Sequence, residues 1–224
     1  MIEYTLTRSG RKTLGIYIKN GSVEVRAPLK LSKSEIDRFV ASKKNWIISK
    51  LSLSQMQAEK KKAFVLHYGD KLFMRGNLYP LMARDGRRAG FDGKCFYMPP
   101  GLKPEQIKDI CIKMYRNLAK IHITDRVAVY AKQMGVVPAA VKINSAKTRW
   151  GSCSARKSLN FSWRLIMATD DIIDYVVVHE LAHISQMNHS KRFWAVVENV
   201  LPDYGERRVR LKGLQRRLAA EDWQ

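Results

Sequence analysis

Residues 175–183 constrain this chain more than any other segment, because they place two histidines four positions apart directly behind an apolar run. In an α-helix, residues i and i+4 lie on one face, about 6 Å apart along the axis, so His179 and His183 can converge on one metal ion. Glu180 follows the first histidine and can reach a water at the ion without binding the ion itself. The apolar run at 175–178 predicts a buried helix, in which such a cluster without a metal would be costly.

His189 is a candidate third ligand, six residues after His183. Asn188 tolerates a left-handed backbone conformation, so we expect the helix to stop and the chain to turn back toward the ion. A catalytic zinc keeps three protein ligands and one open position, whereas a structural zinc needs a fourth ligand. The pattern therefore favours a catalytic Zn²⁺ held by His179, His183 and His189 with Glu180 as general base, although other divalent transition metals suit the same donors.

The first hundred residues have a mainly β-type pattern. β-formers dominate residues 2–25, and Asn20 with Gly21 gives a hairpin turn signal. Residues 32–35 have the spacing of a capping box, and the apolar residues behind them keep helical spacing to about residue 60. We therefore expect one long helix there. Residues 64–100 again combine short β-rich runs with turn signals.

The remainder of the chain has a mainly helical pattern. An apolar stripe behind Pro104 predicts a long helix that ends at Gly135. Strands are expected at 141–143 and 159–163. Three further helices are expected, beginning near Asp170, after Ser190 and near Tyr204.

These patterns together predict an α+β fold. Pro99 and Pro100 mark the expected domain boundary. It separates a β-rich region with one long helix, residues 1–100, from a metal-hydrolase domain, residues 101–224.

The net charge predicts an anionic partner. Lysine and arginine total 41 against 20 acidic residues, a formal charge of +21. Such an excess concentrates polyanions near the protein. A protein that is merely basic is the plain alternative, so the charge alone identifies neither nucleic acid nor another polyanion.

Three features predict the compartment. The longest apolar run is far below the roughly 20 residues that span a bilayer, so we expect no membrane partner. The first residues lack the basic-then-apolar layout of a signal peptide. Cys95, Cys111 and Cys153 are an odd, widely spaced set that suggests no disulfide framework. We expect a cytoplasmic protein.

The C-terminal half resembles the YgjP-like metal-dependent hydrolases, which are zincins related in motif to SprT- and WLM-type metallopeptidases. The resemblance is strongest in residues 147–154, 159–165, 174–183, 188–190 and 193–194. It implies a zinc site on the three histidines named above with Glu180 as base, and a zincin-like catalytic part behind a β-rich one. Members of that family are described as metallopeptidases, and a pyrophosphatase activity on nucleoside triphosphates such as UTP has also been attached to it.

Several other side chains are candidates for contacts with a substrate. Arg149 and Arg164 are candidate substrate-binding residues that would stabilise an oxyanion or grip a phosphate, with a structural ion pair as the alternative for each. Tyr175 and Tyr204 are weaker candidates for oxyanion donors. Cys153 would make the chain a thiol hydrolase if a histidine activated it, but nothing in the sequence pairs it with a base.

Three functions follow from these residues, in descending order of support. A zinc metallopeptidase fits the two-histidine helix and an edge strand at 159–163, against which an extended polypeptide would pair. A metal-dependent nucleotide pyrophosphatase fits the same ion plus the arginines, because phosphoryl transfer needs positive charge. A nucleic-acid-binding protein with a non-catalytic metal site explains the charge but leaves Glu180 without a purpose.

Overall fold

The computed structural model describes residues 2–19, 21–62, 64–219 and 221–223, without the side chains of residues 57, 58 and 60–62. The chain forms two compact units, Met1–Phe64 with Ala219–Asp222 and Val65–Leu218 with Trp223–Gln224.

The first unit contains a three-stranded sheet. Its strands are β1 (Thr5–Ser9), β2 (Gly15–Lys19) and β3 (Ser22–Pro28). β3 is central, parallel to β1 and antiparallel to β2. The antiparallel pairing fits the hairpin expected from the sequence, although Asn20 of its turn lies outside the described residues.

Two helices follow this sheet where the sequence predicts one. α1 (Lys33–Ser42) begins with the expected capping box between Ser32 and Glu35, and α2 spans Lys44–Lys62. The single long helix is wrong, because the backbone leaves helical geometry at Lys43 (φ −103°, ψ 11°). The Lys43 amide bonds the Val40 carbonyl, a tight three-residue turn that apolar spacing does not reveal.

The second unit contains two small sheets. β4 (Lys71–Met74), β5 (Asn77–Ala83), β6 (Gly90–Phe91) and β7 (Phe96–Met98) form a sheet of order β4-β5-β7-β6. β8 (Ala140–Asn144), β9 (Gly151–Cys153) and β10 (Ser158–Ser162) form a sheet of order β8-β10-β9.

The second sheet corrects the predicted edge strand. β10 is the middle strand, parallel to β8 and antiparallel to β9, so both of its edges are already paired. The outer strands are β8 and β9. β9 has only three residues, too few for an alternating β pattern to show in the sequence.

The boundary predicted at residue 100 falls inside the second unit. The rings of Phe96 and Tyr115, one on each side of it, have centroids 5.6 Å apart. The Tyr115 hydroxyl donates to the Phe73 carbonyl at 2.7 Å. The strands before residue 100 therefore share a core with the helix that follows them, and the division into a 1–100 region and a 101–224 metal-hydrolase domain stays a prediction.

The helices of the second unit begin where the sequence predicts them. They are α3 (Pro104–Met134), α4 (Asp170–Ala182), α5 (Lys191–Val200) and α6 (Tyr204–Leu218), with a short 3-10 helix at Trp163–Met167. Gly135 closes α3 in the left-handed conformation (φ 64°). α4 packs against α3, α5, α6 and β9, and all its residues from Ile172 to Val178 are buried.

The α+β class is confirmed, with a β-rich start and a central helix that carries the two-histidine motif. Within the described residues, no helix combines the length and the apolar character that crossing a bilayer requires.

A partly buried ion pair fixes α4 against α3. Asp174 on α4 is 8% exposed and accepts two hydrogen bonds from Arg126 on α3, at 2.6 and 2.9 Å. The Tyr130 hydroxyl donates to the same carboxylate at 2.9 Å. These bonds set the rotation of α4, and therefore the direction in which its last turn points.

We expect Asp174→Asn to lower the free energy of unfolding by about 1–3 kcal/mol, because it removes the anion of a partly buried pair in which the Arg126 side chain is 30% exposed. Chemical denaturation of the metal-free protein measures this. Asp125→Asn, a matched change at an exposed position of α3, should shift the value by less than about 0.5 kcal/mol. Equal stability of both variants would contradict the anchoring role of Asp174.

Candidate metal centre

The structure brings the three predicted histidines together. His179 lies in the last turn of α4, His183 caps its C-terminus, and His189 lies in the loop before α5. One ligand atom from each histidine lies within 4.8 Å of the other two. The Nε2 atoms of His179 and His189 are 3.1 Å apart.

The loop that returns His189 does not turn as predicted. Among the described residues other than glycine, only Arg75 and Lys157 have positive φ, so the expected left-handed Asn188 is wrong. Instead the amides of Ile184 and Ser185 bond carbonyls three residues back, and these tight turns continue the end of α4.

The geometry and chemistry of the histidines fit a divalent metal. Two nitrogens bound to one tetrahedral zinc are about 3.3 Å apart, close to the separation seen between His179 and His189. Nδ1 of His183 lies 3.1 Å from the Gln186 carbonyl oxygen, so Nδ1 carries the proton and donates it to that oxygen. Nε2 then has a free lone pair with which to bind a metal ion. Burial, and then the charges of the other two histidines, lower the pKa of His179 to about 3, so its imidazole is neutral.

Aromatic rings surround the cluster. The Phe193 ring is fully buried and its centroid lies 4.5–4.9 Å from those of all three histidines. The Trp194 ring stacks on His189 at 5.7 Å, and Tyr204 stacks on Trp194 at 5.2 Å. These rings limit the motion of the third histidine, which comes from a loop.

Glu180 lies beside the cluster in a site shaped by Gly151. The Glu180 side chain is buried (6% exposed), and a β-carbon on Gly151 would lie 2.5 Å from its Cγ. Only glycine therefore allows β9 to approach α4 this closely. Burial raises the pKa of Glu180 to about 7, and the charge of Arg149 opposes part of the shift.

A cleft opens at this point. Its volume is about 170 Å³, and both Glu180 and His179 line it. The other lining residues are Trp150, Gly151, Tyr175, Val176 and Leu211.

The two predicted arginines lie in different environments. Arg149 is exposed on the loop before β9, near enough to Glu180 to affect its pKa. Arg164 is buried, donates to the carbonyls of Ser145 (3.1 Å) and Trp223 (2.7 Å), and stacks on Trp163. This placement favours a structural role for Arg164, so only Arg149 is retained as a substrate contact.

The remaining candidates lie in different environments. Burial and then the charge of Glu180 raise the pKa of the Cys153 thiol, which disfavours a thiolate nucleophile. Tyr175 lines the cleft, and burial raises the pKa of its hydroxyl. Tyr204 is occupied in the stack on Trp194.

Comparison with family models agrees with a metallopeptidase-type site. The family model described as YgjP-like, metallopeptidase domain, matches residues 12–214. Two solved metallopeptidase zymogens are similar to this chain. Abylysin of Pyrococcus abyssi has 23% sequence identity and a TM-score of 0.38, and the match covers 40% of this chain and 90% of abylysin. Jannalysin of Methanocaldococcus jannaschii has 20% identity and a TM-score of 0.37, and the match covers 41% of this chain and 94% of jannalysin. Likeness at these TM-scores carries no argument about function. No curated protein matches the chain significantly.

We expect alanine at His179, His183 or His189 to abolish near-stoichiometric zinc binding, because two imidazoles hold zinc far more weakly than three. Elemental analysis after zinc loading and dialysis measures this. His67→Ala, at an exposed histidine outside the cluster, should bind zinc like the wild type. Full zinc retention in all three cluster variants would show that the ion binds elsewhere.

The raised pKa of Glu180 predicts a pH-dependent stability of the metal-free protein. Because the folded pKa of about 7 exceeds the ordinary value of 4.5, the fold favours the protonated carboxyl. The contribution of Glu180 to stability should therefore fall as pH rises from about 4.5 to 7, by on the order of 3 kcal/mol at most, while the lowered pKa of His179 acts in the opposite direction below about pH 6.5.

Glu180→Gln removes this titration. Its stability advantage over the wild type, measured by denaturation in a chelator, should grow between pH 4.5 and 7 and then level off. Glu198→Gln, an exposed control on α5, should show no such growth. A pH-independent difference between Glu180→Gln and wild type would contradict the assignment.

Proposed function

We propose a zinc-dependent peptidase mechanism for this chain, which belongs to the YgjP-like metallopeptidase family. The observation that carries the proposal is the position of one buried carboxyl, Glu180, beside three convergent histidines and at the wall of an open cleft. The three histidines would hold the ion. The chain offers no fourth histidine, cysteine or carboxylate to this cluster among its described residues, as a catalytic site requires.

Glu180 would act as the general base. A bound zinc ion supplies Lewis-acid polarisation and a water that ionises near neutral pH. Glu180 then accepts the proton of the attacking water and passes it to the leaving amine of the cleaved peptide bond. In the metal-free fold burial raises the pKa of Glu180, which favours the protonated carboxyl that forms when Glu180 accepts the proton.

The free edge of β9 supports a polypeptide substrate. The Ser162 amide bonds the Trp150 carbonyl, and the Ser154 amide bonds the Ser158 carbonyl. In this antiparallel register the backbone N–H and C=O groups of the even-numbered residues of β9 point toward β10. Those of Gly151 and Cys153 therefore point away from β10. An extended polypeptide can bond these groups as an added strand, and its backbone would then run past Glu180.

Arg149 is the candidate for contact with the reacting carbonyl. It is exposed, forms no salt bridge with the described carboxylates, and its charge reaches Glu180. A guanidinium in this position would stabilise the negative oxygen that develops as water attacks.

Hydrolysis of nucleoside triphosphates such as UTP is the second candidate, and the exposed Arg149 favours it. The cleft volume argues against nucleotide hydrolysis, because about 170 Å³ is below the roughly 300–1,000 Å³ of pockets that enclose small ligands. An extended chain needs only a narrow cleft. Nucleic-acid binding, a polyanion partner and a cytoplasmic location, all inferred from composition and sequence, stay predictions.

The test offers zinc-loaded protein an unfolded polypeptide, such as reduced casein, and a panel of nucleoside triphosphates. We expect peptide cleavage that Glu180→Gln lowers by roughly 10²–10⁴-fold without loss of zinc, because the base is removed and the ligands remain. Glu198→Gln serves as the control and should cleave like the wild type. Pyrophosphate release that depends on Glu180, with no peptide cleavage, would overturn the peptidase in favour of the second candidate.

A further inference from the structure

One face of α6 borders the metal centre. Tyr204 stacks on Trp194, Leu211 lines the cleft, and Arg208 lies between them in sequence, one turn from each. Positions i, i+4 and i+7 of a helix share a face, so Arg208 points toward the same side of the unit as the cleft.

Arg208 differs from its arginine neighbours on α6. Arg207 bonds Asp203 and the Asp171 carbonyl, and Arg210 pairs with the Asp171 carboxylate. Arg208 forms no salt bridge with any carboxylate of the described part of the chain, and it is exposed. Its guanidinium carbon lies 5.4 Å from the centre of the Trp194 ring. An arginine held on an aromatic face keeps its outer N–H groups free for a carboxylate.

The charge of Arg208 reaches the cleft. Burial raises the pKa of Tyr175 in the cleft wall, and the positive charge of Arg208 opposes that shift. Trp194 contacts both Arg208 and His189, with its ring 5.7 Å from the His189 ring. The charge of Arg208 also helps to lower the pKa of His179, so Arg208 flanks the metal centre.

We propose that Arg208 is a specificity-determining residue that binds an aspartate or glutamate side chain of the polypeptide, within three residues of the cleaved bond. The inference rests on the peptidase function proposed above. An extended chain advances about 3.3 Å per residue, so a side chain two or three positions from the scissile bond reaches beyond the ligands to the Trp194 ring and Arg208. A carboxylate there forms charge-assisted hydrogen bonds with the guanidinium fork.

The test uses a random-sequence library of decapeptides with acetylated and amidated ends, so that only side chains carry carboxylates. Zinc-loaded wild type should cleave it with aspartate and glutamate enriched at one position within three residues of the cut, read by mass spectrometry. Arg208→Ala should lower that enrichment roughly ten-fold, since one charge-assisted bond is lost, and Arg208→Lys should restore part of it. Arg216→Ala, an exposed change of the same charge two turns along α6, should retain it.

Unchanged enrichment in Arg208→Ala, or cleavage by wild type without acidic preference, would overturn the proposal and leave the peptidase standing.

If wild type cleaves no peptide, the proposed function fails, and binding then decides the case of Arg208. Zinc-loaded Glu180→Gln protein is titrated with a capped pentapeptide carrying one glutamate and with its glutamine counterpart. A roughly ten-fold preference for glutamate that Arg208→Ala removes supports the carboxylate site. No preference, or one that survives the substitution, refutes it.

Discussion

The end of one buried helix holds this site together. α4 is covered by α3, α5, α6 and β9, and it stops one residue before His183. Because Asp174 is bonded to Arg126 and Tyr130, the helix has a fixed rotation, and His179 and His183 emerge on one side of its last turn. Every later feature of the site depends on this arrangement.

Burial of the same helix sets the chemistry of its polar side chains. A low-dielectric environment disfavours charge, so it keeps His179 neutral and raises the pKa of Glu180 to about 7. A neutral imidazole is a metal ligand, and a carboxyl of that pKa is a proton acceptor suited to neutral pH. The close approach of Gly151 completes the enclosure of Glu180. The fold therefore tolerates a buried, energetically unfavourable Glu180 carboxylate at the position where the proposed reaction uses a general base.

Local signals in the sequence predicted what depends on neighbours along the chain. The spacing of His179 and His183 on a helix, the capping box at Ser32 and the end of α3 at Gly135 are all such features. The three histidines converge as expected, because i and i+4 necessarily share a helix face.

Features that depend on contacts distant in sequence were not predicted. The central position of β10 follows from its pairing with β8 and β9, which no pattern within the strand reveals. The burial of Arg164 depends on carbonyls 19 and 59 residues away. The position of Arg208 follows from the packing of α6 on α4, since its own sequence context resembles any basic helix surface. The break between α1 and α2 at Lys43 is a local feature, but the helical spacing of apolar residues continues across it, so the spacing alone predicts one helix.

Anomalous diffraction at the zinc absorption edge, from crystals of the zinc-loaded protein, tests the central claim most directly. The account predicts one strong peak about 2.0–2.1 Å from a nitrogen of each of His179, His183 and His189, with no fourth ligand from the chain and with Glu180 outside the coordination sphere. A peak elsewhere, or one with a fourth protein ligand that closes the coordination, would contradict a catalytic site at this helix end.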